Sequence, residues 1–251
     1  MIEVVHHKIN LGLHVIEKLP SNYHALETVF YPCRNFEDTI EITPSSHFSF
    51  IIENADFNCD TESNLCIKAY RLLQNTLDLP SVNITLTKKI PSGAGLGGGS
   101  ADAALTLKIL NQLFALNLDT EQLHEYASQL GSDTPFFLYN TPMYATGRGD
   151  ILTPVTLDLS NYKIEIVCPN ISISTAQAYS VITPKKPENS LLQIMKSPIE
   201  TWKDKLVNDF EEVIFTLHPQ LREIKEEFYR KGAVYASMTG SGSAVFGILK
   251  I

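Results

Sequence analysis

The chain has 251 residues, of which 44% are hydrophobic and 19% charged, and its formal net charge is −8. This composition is that of a folded soluble protein, long enough for one large domain or two smaller ones. The acidic balance argues against general nucleic-acid binding but allows a small basic pocket for a phosphorylated ligand.

The start lacks the apolar core of a signal peptide, and no apolar run approaches the roughly 18 residues of a membrane span. The four cysteines show neither CxxC nor zinc spacing. We therefore expect a reduced, cytoplasmic protein.

Hydrophobic periodicity predicts an α+β chain without internal repeats. Alternating or β-branched segments predict strands at 2–16, 24–31, 39–43, 48–52, 82–88, 162–167, 234–238 and 244–249. Helical spacing predicts helices at about 62–77, 100–116, 120–130, 204–217 and 219–231. Thr120 is the expected N-cap of the third helix, and residues 183–198 are expected to form an exposed loop or a broken helix. The expected boundary between two α+β halves lies near residues 150–160.

The segment PSGAGLGGGSAD at 91–102 holds five of the chain's 13 glycines, between a predicted strand and a predicted helix. Small residues before a helix N-terminus allow backbone N–H groups to approach a phosphate. The dinucleotide-binding pattern GxGxxG fits Gly93, Gly95 and Gly98, but Asp119 follows a helix where that pattern requires a strand. The P-loop pattern fits Gly93, Gly98 and Ser100, but Gly99 stands where its lysine belongs, so this interpretation requires a lysine from elsewhere.

A third pattern, P-x-G-x-G-L-G-S/G-S/G, matches the loop along its whole length, including Pro91 and Leu96. Two further motifs occur in the matching order: Lys8-Ile9-Asn10-Leu11 near the start and MTGSGSAVFG at 238–247. With these three motifs the chain resembles the GHMP kinases over its whole length. Blocks such as YHALET (23–28), GSDTPFF (131–137) and SISTAQAY (172–179) are similar to the branch whose acceptor alcohol carries a cytidine diphosphate, in isoprenoid precursor synthesis.

The resemblance implies a two-domain GHMP-kinase fold with the active site in the cleft between the domains. Its N-terminal half is similar to domain 2 of ribosomal protein S5, and its C-terminal half is a ferredoxin-like α+β domain. We expect residues 1–155 to form the ATP-binding domain and residues 156–251 the C-terminal domain. The implied partner is a small-molecule substrate, with no nucleic acid and no membrane, and the chain is expected to be a monomer or a weak homodimer.

The resemblance also implies an ATP-dependent kinase that uses Mg²⁺ and transfers the phosphoryl group directly to the acceptor alcohol. Asp133 is the candidate base or hydroxyl-orienting group, and Lys8 its cationic partner, which keeps the carboxylate ionised and steadies the phosphoryl group. From the residues alone, an Asp that turns the chain and a surface lysine are the commoner interpretations. The residues implied to hold ATP are Pro91, Ser92, Gly93, Ala94, Gly95, Leu96, Gly97, Gly98, Gly99 and Ser100, with Ser100 near Mg²⁺, and Asn64 and Lys88 by the adenosine. A solvated strand end is the alternative interpretation of Lys88.

On the acceptor side, Tyr23 and Tyr179 match positions that sandwich cytosine, and His24 the position that reads its polar edge. The other implied substrate residues are Asn10, Thr175 and Gly240. Taken singly, the two tyrosines are more typical of half-buried packing residues than of contacts with a base. The sequence departs from the family at Ser21-Asn22, where Asp-Gly is usual, at His7, and at Asp102, where many members have Asn; Asn22 is expected to keep a turn.

Three other functions stay open at this point. One is a GHMP kinase for homoserine, mevalonate or a sugar. Another is a nucleotide-binding regulator that has lost catalysis, against which the presence of Lys8 and Asp133 argues. The most distant is a dehydrogenase.

Overall fold

The computed structural model of the protein describes residues 1–21, 23–54 and 63–251. The chain opens with two long paired strands, β1 (Ile2–Lys18) and β2 (His24–Pro44). Contacts divide the chain into two compact units. The first unit comprises Met1–His7, Phe36–Ser92 and Gly97–Asn140, and the second comprises Lys8–Asn35, Gly93–Leu96 and Thr141–Ile251. Both long strands contribute residues to each unit, so the units follow no single cut in the sequence, and the expected domains 1–155 and 156–251 stay a prediction.

The first unit contains one edge of the six-stranded sheet and a group of helices that pack on one another. Its further elements are β3 (Ser49–Glu53), α1 (Leu65–Leu77), β4 (Val82–Thr87), α2 (Gly98–Leu113), α3 (Thr120–Leu130) and α4 (Phe136–Tyr139). The strand order is β3-β4-β2, with β3 parallel and β2 antiparallel to β4. Helix α2 packs on α1, α3 and α4, and this burial explains why apolar and small residues occupy most of its faces.

The second unit contains a three-stranded antiparallel sheet and its helices. Its elements are β5 (Met143–Thr146), β6 (Ile151–Pro154), β7 (Tyr162–Val167), α5 (Thr175–Val181), α6 (Leu191–Met195), a 3₁₀ turn (Ile199–Thr201), α7 (Phe210–Leu217), α8 (Pro219–Arg230), β8 (Tyr235–Met238) and β9 (Val245–Lys250). The order of the three-stranded sheet is β7-β9-β8, and strand β5 lies between β2 and β6. A Cβ on Gly247 of β9 would lie 2.4 Å from Cδ1 of Phe228, so glycine lets α8 pack directly on the sheet.

The structure corrects several sequence-based boundaries. Segments 24–31 and 39–43 belong to the one strand β2, because pairing with β1, β4 and β5 carries the strand past Pro32. The N-cap of α3 is Asp119, not Thr120: the Asp119 side chain accepts from the Gln122 N–H, and the Gln122 side chain bonds back to the Asp119 N–H. Helix α7 begins at Phe210 rather than near 204, because Asn208 and Asp209 bond to distant backbone instead of continuing the helix.

Other predictions fall short at the edges of the elements. The elements α4, α5, β5 and β6 were not predicted, since each has only four to seven residues and no clear period. Residues 183–198 contain the short helix α6, so the segment is a broken helix with Leu191 buried. The expected start of the first helix at Glu62 and the turn at Asn22 lie outside the described residues. Among the described helices, none has the length and apolar character needed to cross a membrane.

Candidate active site

The glycine loop lies against the second glycine turn, Thr239–Ser243, within the second unit. Gly95 has a φ of +77°, and a Cβ there would lie 2.1 Å from the Thr239 carbonyl oxygen. The Ala244 N–H donates to the Ala94 carbonyl at 3.1 Å, and a Cβ on Gly240 would lie 3.2 Å from Gly95 Cα. Glycine is therefore required where the two turns meet backbone to backbone.

After the loop, helix α2 starts in the first unit with an open N-terminus. Gly97 takes the left-handed conformation, and within the described chain no side chain caps the helix. The first helical residues are Gly98, Gly99 and Ser100, whose N–H groups have no partner inside the helix. Such N–H groups together with the helix dipole favour an anion, so a phosphate suits this position.

Lys8 lies in the middle of β1 and is 2% exposed, so the sequence-based alternative of a surface lysine is wrong. Its ammonium donates to Oδ1 of Asn10 at 2.6 Å and to the Gly95 carbonyl at 3.1 Å. The Nζ atom also lies 5.1 Å from the centre of the Phe30 ring. Contacts with Asn10, Gly95 and Phe30 thus hold the Lys8 ammonium at the glycine loop.

Asn10 holds this arrangement together. Its Nδ2 donates to the Thr28 hydroxyl at 2.9 Å, and its Oδ1 accepts from both Lys8 and the Thr239 hydroxyl, the latter at 3.1 Å. The Asn10 backbone N–H donates to the same Thr239 oxygen at 3.0 Å. The contacts of the Asn10 side chain therefore orient Lys8 and tie β1 to the turn at Thr239.

Asp133 occupies the tight turn between α3 and α4 in the first unit, and it is half-buried. The Thr134 N–H donates to the Gly131 carbonyl at 3.1 Å, and a Cβ on Gly131 would lie 3.0 Å from Thr134 Oγ1 and 3.7 Å from Ser100 Oγ. The turn that carries Asp133 therefore packs beside the first turn of α2, which carries Ser100. Asp133 belongs to the first unit and Lys8 to the second, so the surroundings of each candidate catalytic residue are given within its own unit.

Lys88 is buried, contrary to the alternative of a solvated strand end. Its ammonium donates to the carboxylate of Asp38 and, at 2.8 Å, to Oδ2 of Asp102. Burial opposes the charged form of Lys88, but the carboxylates of Asp102 and Asp38 outweigh this effect and raise the pKa of the lysine. Burial raises the pKa of Asp102 above its ordinary value, because the attraction of Lys88 only partly offsets the loss of water around that carboxyl.

Asn64, the other candidate contact of adenosine, is the N-cap of α1. Its Oδ1 accepts from the Cys66 N–H at 2.8 Å. The next residue, Leu65, lies against α2, because its Cδ1 would be 3.5 Å from a Cβ on Gly99. The start of α1 therefore lies beside the start of α2, within the first unit.

The candidate acceptor residues lie together in the second unit. The rings of His24 and Tyr179 stack with centroids 5.0 Å apart, and the Tyr23 ring, in a residue 53% exposed, lies 5.0 Å from the Arg148 guanidinium carbon. Partial burial and, secondly, the nearby Lys18 lower the pKa of His24 below 6.5, so its ring is neutral near pH 7. Thr175 lies 3.3 Å from Ser241 Oγ, which connects α5 to the second glycine turn.

Three residues of these networks, Asp38, Thr239 and Arg148, were not among the candidate site residues predicted from the sequence. Asp38 shares the buried face of β2 with Ile40 and Ile42, and Lys88 continues the buried face of Val82, Ile84 and Leu86. A charged residue two positions away from buried apolar residues of the same strand face is the signal that could have indicated the burial of Asp38 and Lys88.

Two segments of the chain match the models of one protein family. The model of the GHMP kinase N-terminal domain matches residues 64–141, and the model of the C-terminal domain matches residues 191–250. The chain is 48% identical over 251 residues to a 4-diphosphocytidyl-2-C-methyl-D-erythritol kinase of Azobacteroides pseudotrichonymphae, covering 100% of this chain and 94% of that protein. The chain belongs to the GHMP kinase family.

Further relatives support the same branch of the family. A 4-diphosphocytidyl-2-C-methyl-D-erythritol kinase of Bacteroides fragilis is 49% identical over 252 residues, covering 99% of this chain and 92% of that protein. A crystal structure of a 4-(cytidine 5'-diphospho)-2C-methyl-D-erythritol kinase superimposes with a TM-score of 0.82 at 31% identity, covering 99% of this chain and 90% of that one. The mevalonate kinase of Methanococcus jannaschii shares the fold, with a TM-score of 0.70 at 14% identity, covering 100% and 90% of the two chains. The expected GHMP-kinase fold is thus confirmed.

Proposed function

We infer that this protein transfers the γ-phosphoryl group of ATP to the 2-hydroxyl of 4-diphosphocytidyl-2-C-methyl-D-erythritol, giving ADP and the 2-phosphate in isoprenoid precursor synthesis. Two relatives that are 48% and 49% identical to this chain are named as this kinase, and the matches cover 94% and 92% of their lengths. The structural observation that best supports the activity is the buried bond from Lys8 to the Gly95 carbonyl. It holds a cation at the glycine loop, where it can offset charge on a transferring phosphoryl group.

The transfer requires a held polyphosphate and an aligned hydroxyl. The loop at 91–100 binds the phosphates through backbone N–H groups, including those at the uncapped start of α2. Asp133 accepts the hydrogen bond of the acceptor hydroxyl and orients it. The hydroxyl oxygen bonds to the γ-phosphorus as the bond from that phosphorus to the bridging oxygen of ADP breaks, and the hydroxyl proton passes to the Asp133 carboxylate or to an oxygen of the transferred phosphoryl group. No phospho-enzyme is formed.

Mg²⁺ is part of this proposal, and it supplies positive charge to the phosphates of bound ATP. Within the described part of the chain no group of three His, Cys, Asp or Glu residues could hold a metal. Mg²⁺ commonly takes one or two protein oxygens and completes its shell with phosphate and water. The Ser100 hydroxyl, beside the Asp133 turn in the first unit, is an oxygen of this type.

The cytidine part of the acceptor is assigned to Tyr23, His24 and Tyr179. A neutral imidazole has one donor and one acceptor, which suits the donor and acceptor on the edge of cytosine. In the structure the His24 ring lies on Tyr179, so a cytosine sandwiched between the two tyrosines requires His24 to move aside. Thr175, Asn10 and Gly240 complete the proposed acceptor side.

The proposal extends to the state of the protein in the cell. We assign it to the cytoplasm, as a monomer or a weak homodimer, and acting on a small molecule rather than on nucleic acid or membrane. Burial raises the pKa of the Cys33 thiol to about 12, and it also raises the pKa of the buried Cys66, so both stay protonated. Size-exclusion chromatography with light scattering measures the oligomeric state.

The experiment that tests the function is an acceptor panel read by ADP release. The protein is given ATP, Mg²⁺ and, in turn, the cytidine-bearing alcohol, the same alcohol without cytidine, homoserine and mevalonate. Only the first should release ADP above background. Asp133→Asn should abolish this release while ADP still binds, since the amide does not carry the charge of the carboxylate. Turnover of Asp133→Asn near that of the wild type would contradict the role of Asp133, and release with mevalonate alone would contradict the assigned substrate.

A further inference from the structure

Beneath the start of α2 lies a second buried lysine, Lys88, held by two carboxylates of the first unit. Asp38 is 0% exposed and accepts from the Lys88 ammonium and from the N–H groups of Lys89 and Ile90, at 2.5 Å and 2.8 Å. Asp102, 3% exposed, accepts from the same ammonium at 2.8 Å. The cluster therefore joins strand β2, the segment after β4, and helix α2.

These contacts join the two ends of the glycine loop. Residues 88–90 lead into the loop, and Gly98 is the first residue of the helix that follows it. A Cβ on Gly98 would lie 3.3 Å from Lys88 Nζ and 2.9 Å from Ile90 Cγ2. Only a glycine lets the first turn of α2 lie this close to the segment 88–90, so entrance and exit of the loop touch at the cluster.

Stability alone does not account for three buried charged side chains. A buried ion pair often stabilises a protein no better than apolar side chains of the same volume. In addition, Oδ1 of Asp102 is buried and accepts no hydrogen bond from any described residue, which costs free energy. What the cluster does supply is a fixed distance between residues 88–90 and the N–H groups at the start of α2.

We propose that Lys88 and Asp102 are positioning residues of the phosphate loop: through Asp38 and Asp102, the Lys88 ammonium fixes the start of α2 against residues 88–90. The proposal rests on the proposed function, because it takes the loop to be the ATP-phosphate site. It differs from a direct role, in which the Lys88 charge contacts the nucleotide. Backbone N–H groups bind a phosphate well only when they are held in place beforehand.

The two roles predict different effects of changing Asp102. With Asp102→Ala, Lys88 keeps its charge but loses its tie to α2. For a positioning role we expect ADP affinity to fall about tenfold, because the N–H groups are no longer held, while adenosine affinity stays within about twofold. Asp102→Asn keeps an acceptor for Lys88 and should rescue ADP binding. Isothermal titration with ADP and with adenosine measures both.

A direct role of Lys88 gives another pattern. Lys88→Met would then weaken nucleotide binding, while Asp102→Ala would leave ADP affinity unchanged or improve it by releasing the ammonium. Either unchanged ADP affinity in Asp102→Ala, or an equal loss for adenosine and ADP, would overturn the proposal. Lys108→Met is the matched control, since Lys108 lies exposed on the same helix and should change neither affinity.

A folding defect in Asp102→Ala does not remove the test. The double variant Lys88→Met, Asp102→Leu removes two of the three charged side chains, and the remaining Asp38 carboxylate keeps the N–H groups of Lys89 and Ile90 as donors. We expect it to fold and to show the same loss of ADP affinity, and a double variant with wild-type ADP affinity would overturn the proposal. Wild-type turnover of the cytidine-bearing alcohol, measured alongside, tests the proposed function separately.

Discussion

The protein buries two lysines beside its glycine loop, and different oxygen atoms orient their ammonium groups. Lys8, in the second unit, donates to the amide oxygen of Asn10 and the carbonyl oxygen of Gly95. Lys88, in the first unit, donates to the carboxylates of Asp38 and Asp102. Amide and carbonyl oxygens orient an ammonium, and two carboxylates in addition offset its charge. The same residue type can therefore serve chemistry in one unit and geometry in the other.

The largest effect that this comparison predicts is on turnover. Lys8→Met should lower kcat about a thousandfold, as expected when a charge that stabilises the transition state is removed. Affinity for ADP should change little, because the backbone of the loop stays in place. Steady-state kinetics together with ADP titration measure the two quantities. Loss of ADP binding with an unchanged kcat would assign Lys8 to nucleotide binding and remove the contrast with Lys88.

The second effect is on stability. Lys88→Met leaves Asp38 and Asp102 buried without their shared cation, which should lower the free energy of unfolding by about 3 kcal/mol. Lys8→Met removes the hydrogen bonds to the Asn10 side chain and the Gly95 carbonyl and should cost about 1 kcal/mol. Urea unfolding of both variants measures the difference. Equal losses of stability would contradict a larger contribution from the pairing of Lys88 with Asp38 and Asp102.

A smaller effect separates two glycines of the loop. Gly93 and Gly95 both have positive φ, at +67° and +77°, so alanine is strained at each position by a similar amount. A Cβ at Gly95 would lie 2.1 Å from the Thr239 carbonyl oxygen, whereas nothing lies within 4 Å of a Cβ at Gly93. Gly95→Ala should therefore lower ADP affinity about tenfold through displacement of the loop, and Gly93→Ala serves as the matched control. Similar losses in both variants would mean that backbone strain, not the contact with Thr239, decides the loop geometry.

The smallest effect concerns pH and the acceptor. Because the pKa of His24 is lowered from 6.5, its ring is neutral near pH 7 and gains a proton only as the pH falls below that range. Protonation removes the acceptor nitrogen, so KM for the cytidine-bearing alcohol should rise a few-fold at low pH. His24→Gln should flatten this dependence. A wild-type KM that stays constant down to pH 5 would argue against His24 as a contact of the base.

Much of the fold could be predicted from local pattern. The alternation of β4, the strand β7 and the helix α8 with Pro219 at its start all follow from short-range rules. Where tertiary contacts decide the boundary, prediction failed. Asn208 donates to the carbonyl oxygens of Met238 and Gly240, a contact 30 or more residues away that holds the chain out of the helix until Phe210.

The candidate site, like the fold, could be predicted where local pattern decides and could not where distant contacts decide. The loop, Lys8 and Asp133 could be named from motifs, because the chemistry depends on residue type and spacing. The partners of Lys8 and Lys88 could not, since Thr239 and Asp38 are distant in sequence from the lysine networks that they join. Periodicity could indicate that Lys88 is buried, but only the structure shows the two carboxylates that cancel its charge.

The most direct test of the central claim is ³¹P NMR of the reaction with ATP, Mg²⁺ and the cytidine-bearing alcohol. The wild-type protein should produce a new phosphomonoester signal in step with ADP, and Lys8→Met should produce neither while still binding ADP. Formation of ADP with inorganic phosphate alone, or a phosphomonoester signal from Lys8→Met at the wild-type rate, would contradict it.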